Sequence, residues 1–305
     1  MQASQIPLVM WEMFTAESST PSKPLPTRFV SKDLASTDSA LHFTWYGHSS
    51  LLVEIDGKRI LVDPMFGDAA APVSFFSPRF ALEHPIPLEE IRNIDAVIIS
   101  HDHYDHLDYG SILAIKDQVG HFFTALGVGE HLKRWGVEAE RISTLDWWSQ
   151  VDFKGLELVC TPARHFSGRS LNDRNQSLWA SWVIKGHDQK LFFSGDSGYA
   201  EHFLEIGDRH GPFDLAFIEC GQYNVRWEPV HMMPEQSVLA AKDLKADYMM
   251  PIHWGSFRLS THTWTDPILR VLQEGAVLDQ KILHPYIGER VQLQEIMESN
   301  DWWDL

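Results

Sequence analysis

The chain has 305 residues, 44% of them hydrophobic and 12% aromatic, with twelve Trp and seventeen Phe, enough for one large core or two modest ones. A formal charge of −17 argues against nucleic acid or an anionic bilayer as an electrostatically held partner, because phosphates are repelled over most of such a surface. Two cysteines, Cys160 and Cys220, each end an apolar run, which excludes a disulfide framework and fits core thiols in a reducing, cytoplasmic compartment.

Residues 1–40 are rich in Ser, Thr, Pro and Lys without periodicity and are expected to form an extended arm packed on the domain. They carry no basic-then-apolar leader pattern, and no run in the chain approaches membrane-spanning length. Leu41 to Tyr46 alternates, Ser50 to Ile55 is apolar, Asp56-Gly57 is a hairpin turn and Lys58 to Val62 returns, which predicts an antiparallel opening to a sheet. His48 and Asp63 both follow strands of this opening. Each is as compatible with an ordinary turn as with a place beside a functional site. Met65 to Pro87 is a loop with Phe66, Phe75, Phe76 and Phe80 among Pro, Ala and Ser. Packing predicts these rings for the core; if exposed, they would form an apolar rim to a cleft.

Next comes the densest chemistry in the chain. Asp95 to Ile99 reads as a buried strand, Asp108 to Gln118 as a helix, and Ser100 to Asp108 between them holds three histidines and three aspartates. His101 and His103 are two apart, so in an extended segment their imidazoles face one way, while Asp105 and His106 reach a neighbouring point as the helix begins. A solvated turn would favour Lys, Ser, Gly or Asn, and buried unpaired imidazoles are costly, so the pattern points to two adjacent metal ions.

A strand at His121–Thr124 and a short helix from Glu130 to Trp135 follow. Three later apolar runs end in ligand-type residues: Leu156 to Thr161 leads to His165, Lys190 to Phe193 to Asp196, and Tyr248 to Ile252 to His253. Singly each could be a surface histidine or a Gly-Asp turn; with the His-rich loop they complete a ligand set. Met233 to Leu244, with Pro234 in its first turn, and a segment starting at Asp266-Pro267 read as helices. Strands alternating with helices in both halves predict an α/β sandwich without a linker, followed by an acidic tail, 296–305, carrying Trp302 and Trp303.

The pattern His101-x-His103-x-Asp105-His106, then His165, Asp196 and His253, resembles the metallo-β-lactamase superfamily. Leu145-Asp146-Trp147-Trp148, Thr161-Pro162-x-x-His165, Arg169 to Trp182, Gly195-Asp196-Ser197-Gly198-Tyr199, His231-Met232-x-Pro234-Glu235 and Ile252-His253-Trp254-Gly255 resemble, within it, the N-acyl-phosphatidylethanolamine-hydrolysing phospholipase D group. The likeness spans roughly 41–288 and leaves the arm and the Phe-rich loop unaligned.

The resemblance implies a single-domain, four-layer αβ/βα sandwich over residues 41–295. It implies one zinc on His101, His103 and His165, a second on Asp105, His106 and His253, and Asp196 bridging them; iron is the alternative metal. His48, Asp63 and Tyr223 are expected beside that site or the substrate, and Asp105 and His231 in catalytic roles. The implied activity is hydrolysis of a phosphodiester, N-acyl-phosphatidylethanolamine or a relative, by a metal-bridging hydroxide, with at most peripheral membrane contact and with a homo-oligomer allowed. Rival readings are a lactonase or amidohydrolase on the same scaffold, an iron-dependent oxidoreductase, and a non-catalytic metal-binding protein.

Overall fold

The computed structural model describes residues 11–12, 18–29, 40–73, 75–170, 172–295 and 301–305. Most of the arm, Leu171 of the central motif and residues 296–300 of the acidic tail lie outside the described residues.

Six strands come first: β1 (His42–Trp45), β2 (Leu51–Ile55), β3 (Lys58–Val62), β4 (Ile94–Ile99), β5 (Val119–Ala125) and β6 (Ile142–Leu145). The first three pair antiparallel, and β3 to β6 pair in parallel. The next seven build a second sheet: β7 (Gln150–Phe153), β8 (Leu156–Thr161), β9 (Ser181–Lys185), β10 (Lys190–Phe193), β11 (Phe213–Glu219), β12 (Ala246–Ile252) and β13 (Lys281–Ile282). It repeats the plan, antiparallel from β7 to β10 and parallel from β10 to β13. β14 (Arg290–Gln292) then returns to the first sheet and pairs antiparallel with β1, Thr44 opposite Arg290.

Parallel neighbours need crossovers, and helices supply them. α1 (Tyr109–Ile115) joins β4 to β5, and α2 (Gly129–Arg134) joins β5 to β6. In the second sheet α3 (His202–His210), α4 (Pro234–Asp243) and α5 (Asp266–Leu278) make the equivalent links. α1 is shorter than the sequence predicts: it ends at Ile115 and tightens into a 3₁₀ turn over Lys116–Gln118. Its start is fixed by Asp108, whose Oδ2 accepts from Ser111 N at 2.7 Å. α4 has Pro234 in its first turn, and Gln236 Oε1 accepts from Met233 N at 2.9 Å.

The two sheets face each other. Phe43 of β1 meets Phe217 of β11 edge to face at 5.4 Å, inside one continuous core. With helices outside both sheets, the molecule is the expected four-layer αβ/βα sandwich. The central strand β4 is buried at five of six positions, which is why Ile94 to Ile99 reads as an apolar run rather than an alternating one. Truncating one of its isoleucines to Ala would cost about 2–5 kcal/mol.

The edges of the fold are also tied down. Leu25 of the described arm is buried and bridges Leu82, and the Arg28 guanidinium sits 3.7 Å over the Tyr286 ring. Trp302 and Trp303 are buried, Trp302 stacking on Trp254 at 5.3 Å, so this part of the tail is docked. Both cysteines are buried free thiols whose acidity burial suppresses.

Candidate metal centre

Each strand expected to deliver a site residue ends at one edge of the facing sheets. His101, His103, Asp105 and His106 come from the loop between β4 and α1, His165 follows β8, Asp196 follows β10, and His253 follows β12. Gly195 lets Asp196 approach: its φ is 55°, and a Cβ there would lie 2.7 Å from Ala180 O and 2.9 Å from Ser100 Cβ. His48 (φ 51°), Asp63 (φ 40°) and His253 (φ 67°) also occupy the left-handed region without being glycine. Such backbone costs of order 1–3 kcal/mol each and persists where the surroundings over-determine it. Here, His48 N donates to Trp254 O at 3.2 Å and His253 N to His48 O at 2.9 Å, stitching the two sheets together beside the site.

Among the described residues the ligand-type atoms form three overlapping groups: His101, His103, His165 and Asp196; His48, Asp105, His106 and His253; and Asp196, Glu219, His231 and His253. The first two correspond to the expected trios, and Asp196 reaches both. In the first, His101 Nε2 and His165 Nε2 lie 2.9 and 3.1 Å from His103 Nδ1, and 3.8 and 3.7 Å from Asp196 Oδ2. In the second, His106 Nε2 and His253 Nε2 lie 3.5 and 3.2 Å from Asp105 Oδ2, and 3.1 and 3.2 Å from the two oxygens of Asp196. The two trios are those the resemblance implies, with one carboxylate between them.

The outward edges of the rings are fixed. His106 Nδ1 donates to Asp63 Oδ2 at 2.7 Å, and His165 Nδ1 to Val230 O at 2.9 Å. Ser100 gives its hydroxyl proton to Asp63, so its Oγ accepts from His101 Nδ1 at 2.9 Å. His253 Nδ1 faces Gly221 O at 3.3 Å. The Nε2 edges of all four rings therefore point inward at each other and at two carboxylates. Among the described residues neither His106 Nε2 nor Asp196 Oδ1, buried and 3.1 Å apart, makes a well-aligned hydrogen bond.

Only protons or cations relieve such crowding, and the donor set of imidazole and carboxylate suits a borderline-soft divalent metal. Burial holds His101 and His165 far below the usual imidazole range, in the neutral form a metal requires. Burial also works to lower His106 and His253, but Asp196 and Asp105 hold both well above that range, so these two rings carry the protons that a cation would displace. Burial alone would raise Asp105 and Asp196, but the surrounding imidazoles, His106 foremost, hold both well below the usual carboxylate range. The residues present therefore fit a metal pair.

Other expected residues take supporting places. Asp63 is fully buried and orients both His106 and Ser100; His48, its pKa pushed down by burial to about 3, donates from Nε2 to Asp105 Oδ2 at 2.9 Å. His231 lies against two site rings, 4.9 Å from His165 and stacked 5.1 Å from His253, with 14% of its side chain exposed. Tyr223 is not brought to the cluster by its hydroxyl, which bonds Asp266, while its ring stacks on His262 at 4.4 Å.

Sequence reasoning assigned no role to three residues. Asp102 turns away from the metal side to accept from Gly168 N at 2.8 Å and Ser177 Oγ at 2.7 Å. Burial works to raise its pKa, but these donors and His131 hold it at about 2. Arg169 covers the Tyr104 ring at 3.9 Å and donates to Asp102 O and Leu107 O, strapping the His-rich loop. Glu219, at the end of β11, is wholly buried beside His231 and His253. The Phe-rich loop splits: Phe66 and Phe80 are core, whereas Phe75 and Phe76 are 76% and 42% exposed, their rings 4.6 Å apart.

Comparison with known proteins identifies the family and the fold. The Beta-lactamase superfamily domain matches residues 58–254. An uncharacterized protein of Mycobacterium tuberculosis is 41% identical over 99% of this chain and 82% of its own length. The N-acyl-phosphatidylethanolamine-hydrolyzing phospholipase D 1 of Caenorhabditis elegans is 34% identical over 78% of this chain and 70% of its own. Among solved structures, Igni18, a metallo hydrolase from the archaeon Ignicoccus hospitalis, shares the fold with a TM-score of 0.64 at 21% identity, covering 83% of this chain and 97% of that one. With the His-x-His-x-Asp-His loop at the mouth of a four-layer sandwich, the chain belongs to the metallo-β-lactamase superfamily, in its N-acyl-phosphatidylethanolamine phospholipase D-like group, and is a metal-dependent hydrolase.

Proposed function

We propose that this hydrolase is a dinuclear zinc phosphodiesterase of phospholipase D type, acting on N-acyl-phosphatidylethanolamine or a close relative. The observation that carries the reading is Asp196, whose two oxygens lie between two trios of ligand-type side chains, the arrangement a metal pair needs. His101, His103 and His165 would hold one zinc, Asp105, His106 and His253 the other. When bound, such a pair supplies Lewis acidity and a water acidified to near neutral pH.

The chain's own residues do the rest. Asp105 is kept anionic and is oriented by His48, so it can accept a hydrogen bond from the attacking water. His231, open on one side and packed on rings of both trios, is placed to meet the departing group. In the overall step the water oxygen ends on phosphorus, the bond from phosphorus to the head-group alcohol breaks, and that alcohol leaves with a proton.

A lipid substrate is supported by the relative from Caenorhabditis elegans and by the exposed rings of Phe75 and Phe76 on the loop that follows Asp63. Contact with a membrane would be peripheral, since among the described residues no helix is long and apolar enough to cross one. The free buried thiols support a reducing, cytoplasmic setting. The test is a side-by-side assay of zinc-loaded protein on an N-acyl phosphatidylethanolamine, a lactone and a β-lactam, with metal content measured on the same sample. Phosphodiester turnover with about two zinc equivalents is expected; lactone or β-lactam hydrolysis alone would replace the reading.

A further inference from the structure

Glu219 is an acid buried to 0% exposure at the end of a strand that is apolar from Leu215 to Ile218. A carboxylate in such a place is costly unless every lone pair finds a donor. Four donors surround it. Oε1 accepts from Met232 N at 2.8 Å and from Ser197 N at 3.4 Å; Oε2 accepts from His231 Nδ1 at 3.0 Å and lies 3.4 Å from His253 Nδ1. Its backbone is anchored as well, the carbonyl accepting from Ser237 Oγ of α4 at 2.6 Å.

These contacts join parts of the site that the chain delivers separately. Ser197 follows Asp196, the shared carboxylate; His253 belongs to the second trio; His231 is the open ring stacked parallel to His253, with an interplanar angle of 11°. We propose that Glu219 is a positioning residue whose one carboxylate fixes the tautomer and ring plane of His231 and, together with Gly221 O at 3.3 Å, of His253, so that the metal side and the substrate side of the site are set by the same group.

The chemistry requires an acceptor-only side chain. Both imidazoles turn their Nδ1 edges to Oε2 and two backbone amides face Oε1; a carboxylate accepts at both oxygens, whereas a carboxamide must set its NH₂ against one of the two pairs of donors. With Nδ1 committed outward, the Nε2 of His253 is the atom left for a cation between Asp105 and Asp196, and His231 keeps an unprotonated Nε2 at its other edge. Glutamine has the same shape but could set an NH₂ against the two N–H groups. His231, the freer ring, would then move its proton to Nε2 and offer the wrong edge outward. Glu219 lies close to Asp196, His231 and His253, but its oxygens are already engaged by these donors, which favours the positioning role.

For His253 the inference rests on the metal assignment above; for His231 it stands without it. The test compares wild type, Glu219→Gln and Glu219→Asp, with histidine tautomers read by ¹⁵N NMR of the metal-free protein and zinc affinity by competition with a chromophoric chelator. In Glu219→Gln, the His231 signal is expected to change from Nδ1–H to Nε2–H, and the weaker zinc step to lose roughly 10–100-fold in affinity, the usual size for an outer-shell partner. Glu219→Asp retains the charge and should keep the Nδ1–H tautomer, recovering part of the affinity even if its shorter reach lowers the melting temperature. Unchanged tautomers in Glu219→Gln would overturn the proposal, as would equal losses in the two variants tracking a common loss of fold. If the wild type bound no zinc, the metal assignment would fail while the His231 tautomer still decided the role of Glu219. Phosphodiester turnover enters neither readout.

Discussion

Asp63 and His106 stand 43 positions apart in the chain and share a 2.7 Å hydrogen bond with neither side chain exposed to solvent. The same carboxylate accepts from Ser100 N at 2.8 Å and from Ser100 Oγ at 2.5 Å, so one turn residue after β3 orients two members of the loop after β4. In Asp63→Asn one oxygen becomes an NH₂ that faces either the Ser100 backbone N–H or both the Ser100 hydroxyl and the His106 N–H. Zinc affinity is expected to fall by roughly 10–100-fold in chelator competition. A variant with wild-type affinity would show that His106 needs no such partner.

Asp105→Asn tests the charge rather than the scaffold. Its Oδ2 accepts from His48 at 2.9 Å and lies 3.2 Å from His253 Nε2, and the loop is held independently by Arg169. The fold and most of the first metal should persist, with activity reduced by roughly a hundredfold or more, in line with lost electrostatic positioning. His101→Ala should instead lose metal, as elemental analysis would record. Near wild-type turnover by Asp105→Asn would remove Asp105 from the reaction.

Phe75 and Phe76 touch each other and solvent, so their joint replacement by Ala should change folding stability by no more than about 0.5 kcal/mol. Each methylene a lipid buries against such rings contributes about 0.8 kcal/mol. The double variant should therefore raise KM for a long-chain phosphodiester and leave a short soluble one nearly unchanged. Equal losses on both substrates would remove the rings from substrate binding. Phe80→Ala, by contrast, empties a core position and should cost about 3–5 kcal/mol.

Acid stability should depend on His202. Burial, with help from Arg164, lowers its pKa from 6.5 to about 4, and its Nε2 contacts Ser197 Oγ at 3.1 Å. Because the folded value is depressed, the unfolded chain binds the extra proton first as pH falls. The contribution is full above about pH 6.5 and is lost progressively toward pH 4, amounting to on the order of 2 kcal/mol after allowing for partial exposure. Urea midpoints of His202→Gln should fall less between pH 7 and 5 than those of wild type. Identical pH slopes would assign the acid sensitivity elsewhere.

Legibility in the sequence follows how local each signal is. The loop from His101 to His106 announces itself because its ligand-type residues are adjacent, and the hairpin at Asp56-Gly57 because turn chemistry and apolar runs coincide. His165, Asp196 and His253 are single residues after strands, readable only as a set. Glu219 offered no such cue: it closes the apolar run of β11 in front of Cys220, and its partners lie in three separate segments. Tyr223 had none either, and its hydroxyl is used by Asp266. The Phe-rich loop divides by contacts outside itself, Phe66 meeting Tyr46 at 5.6 Å and Phe80 meeting Trp264 at 6.4 Å, which its own sequence does not encode.

The seam between the sheets has a further consequence. His101, His103, Asp105 and His106 extend from the first sheet, while His165, Asp196 and His253 extend from the second, so a cation held among them is a crosslink between two halves of one core. At a hundredfold excess over its dissociation constant, a ligand of the folded state adds about 2.7 kcal/mol. That increment opposes the opening that parts the sheets more than fraying within either one. The amides of His48 and His253, whose hydrogen bonds cross the seam, would then exchange with deuterium more slowly on loading, and peptides around β6 and β7 at the far edges would change least.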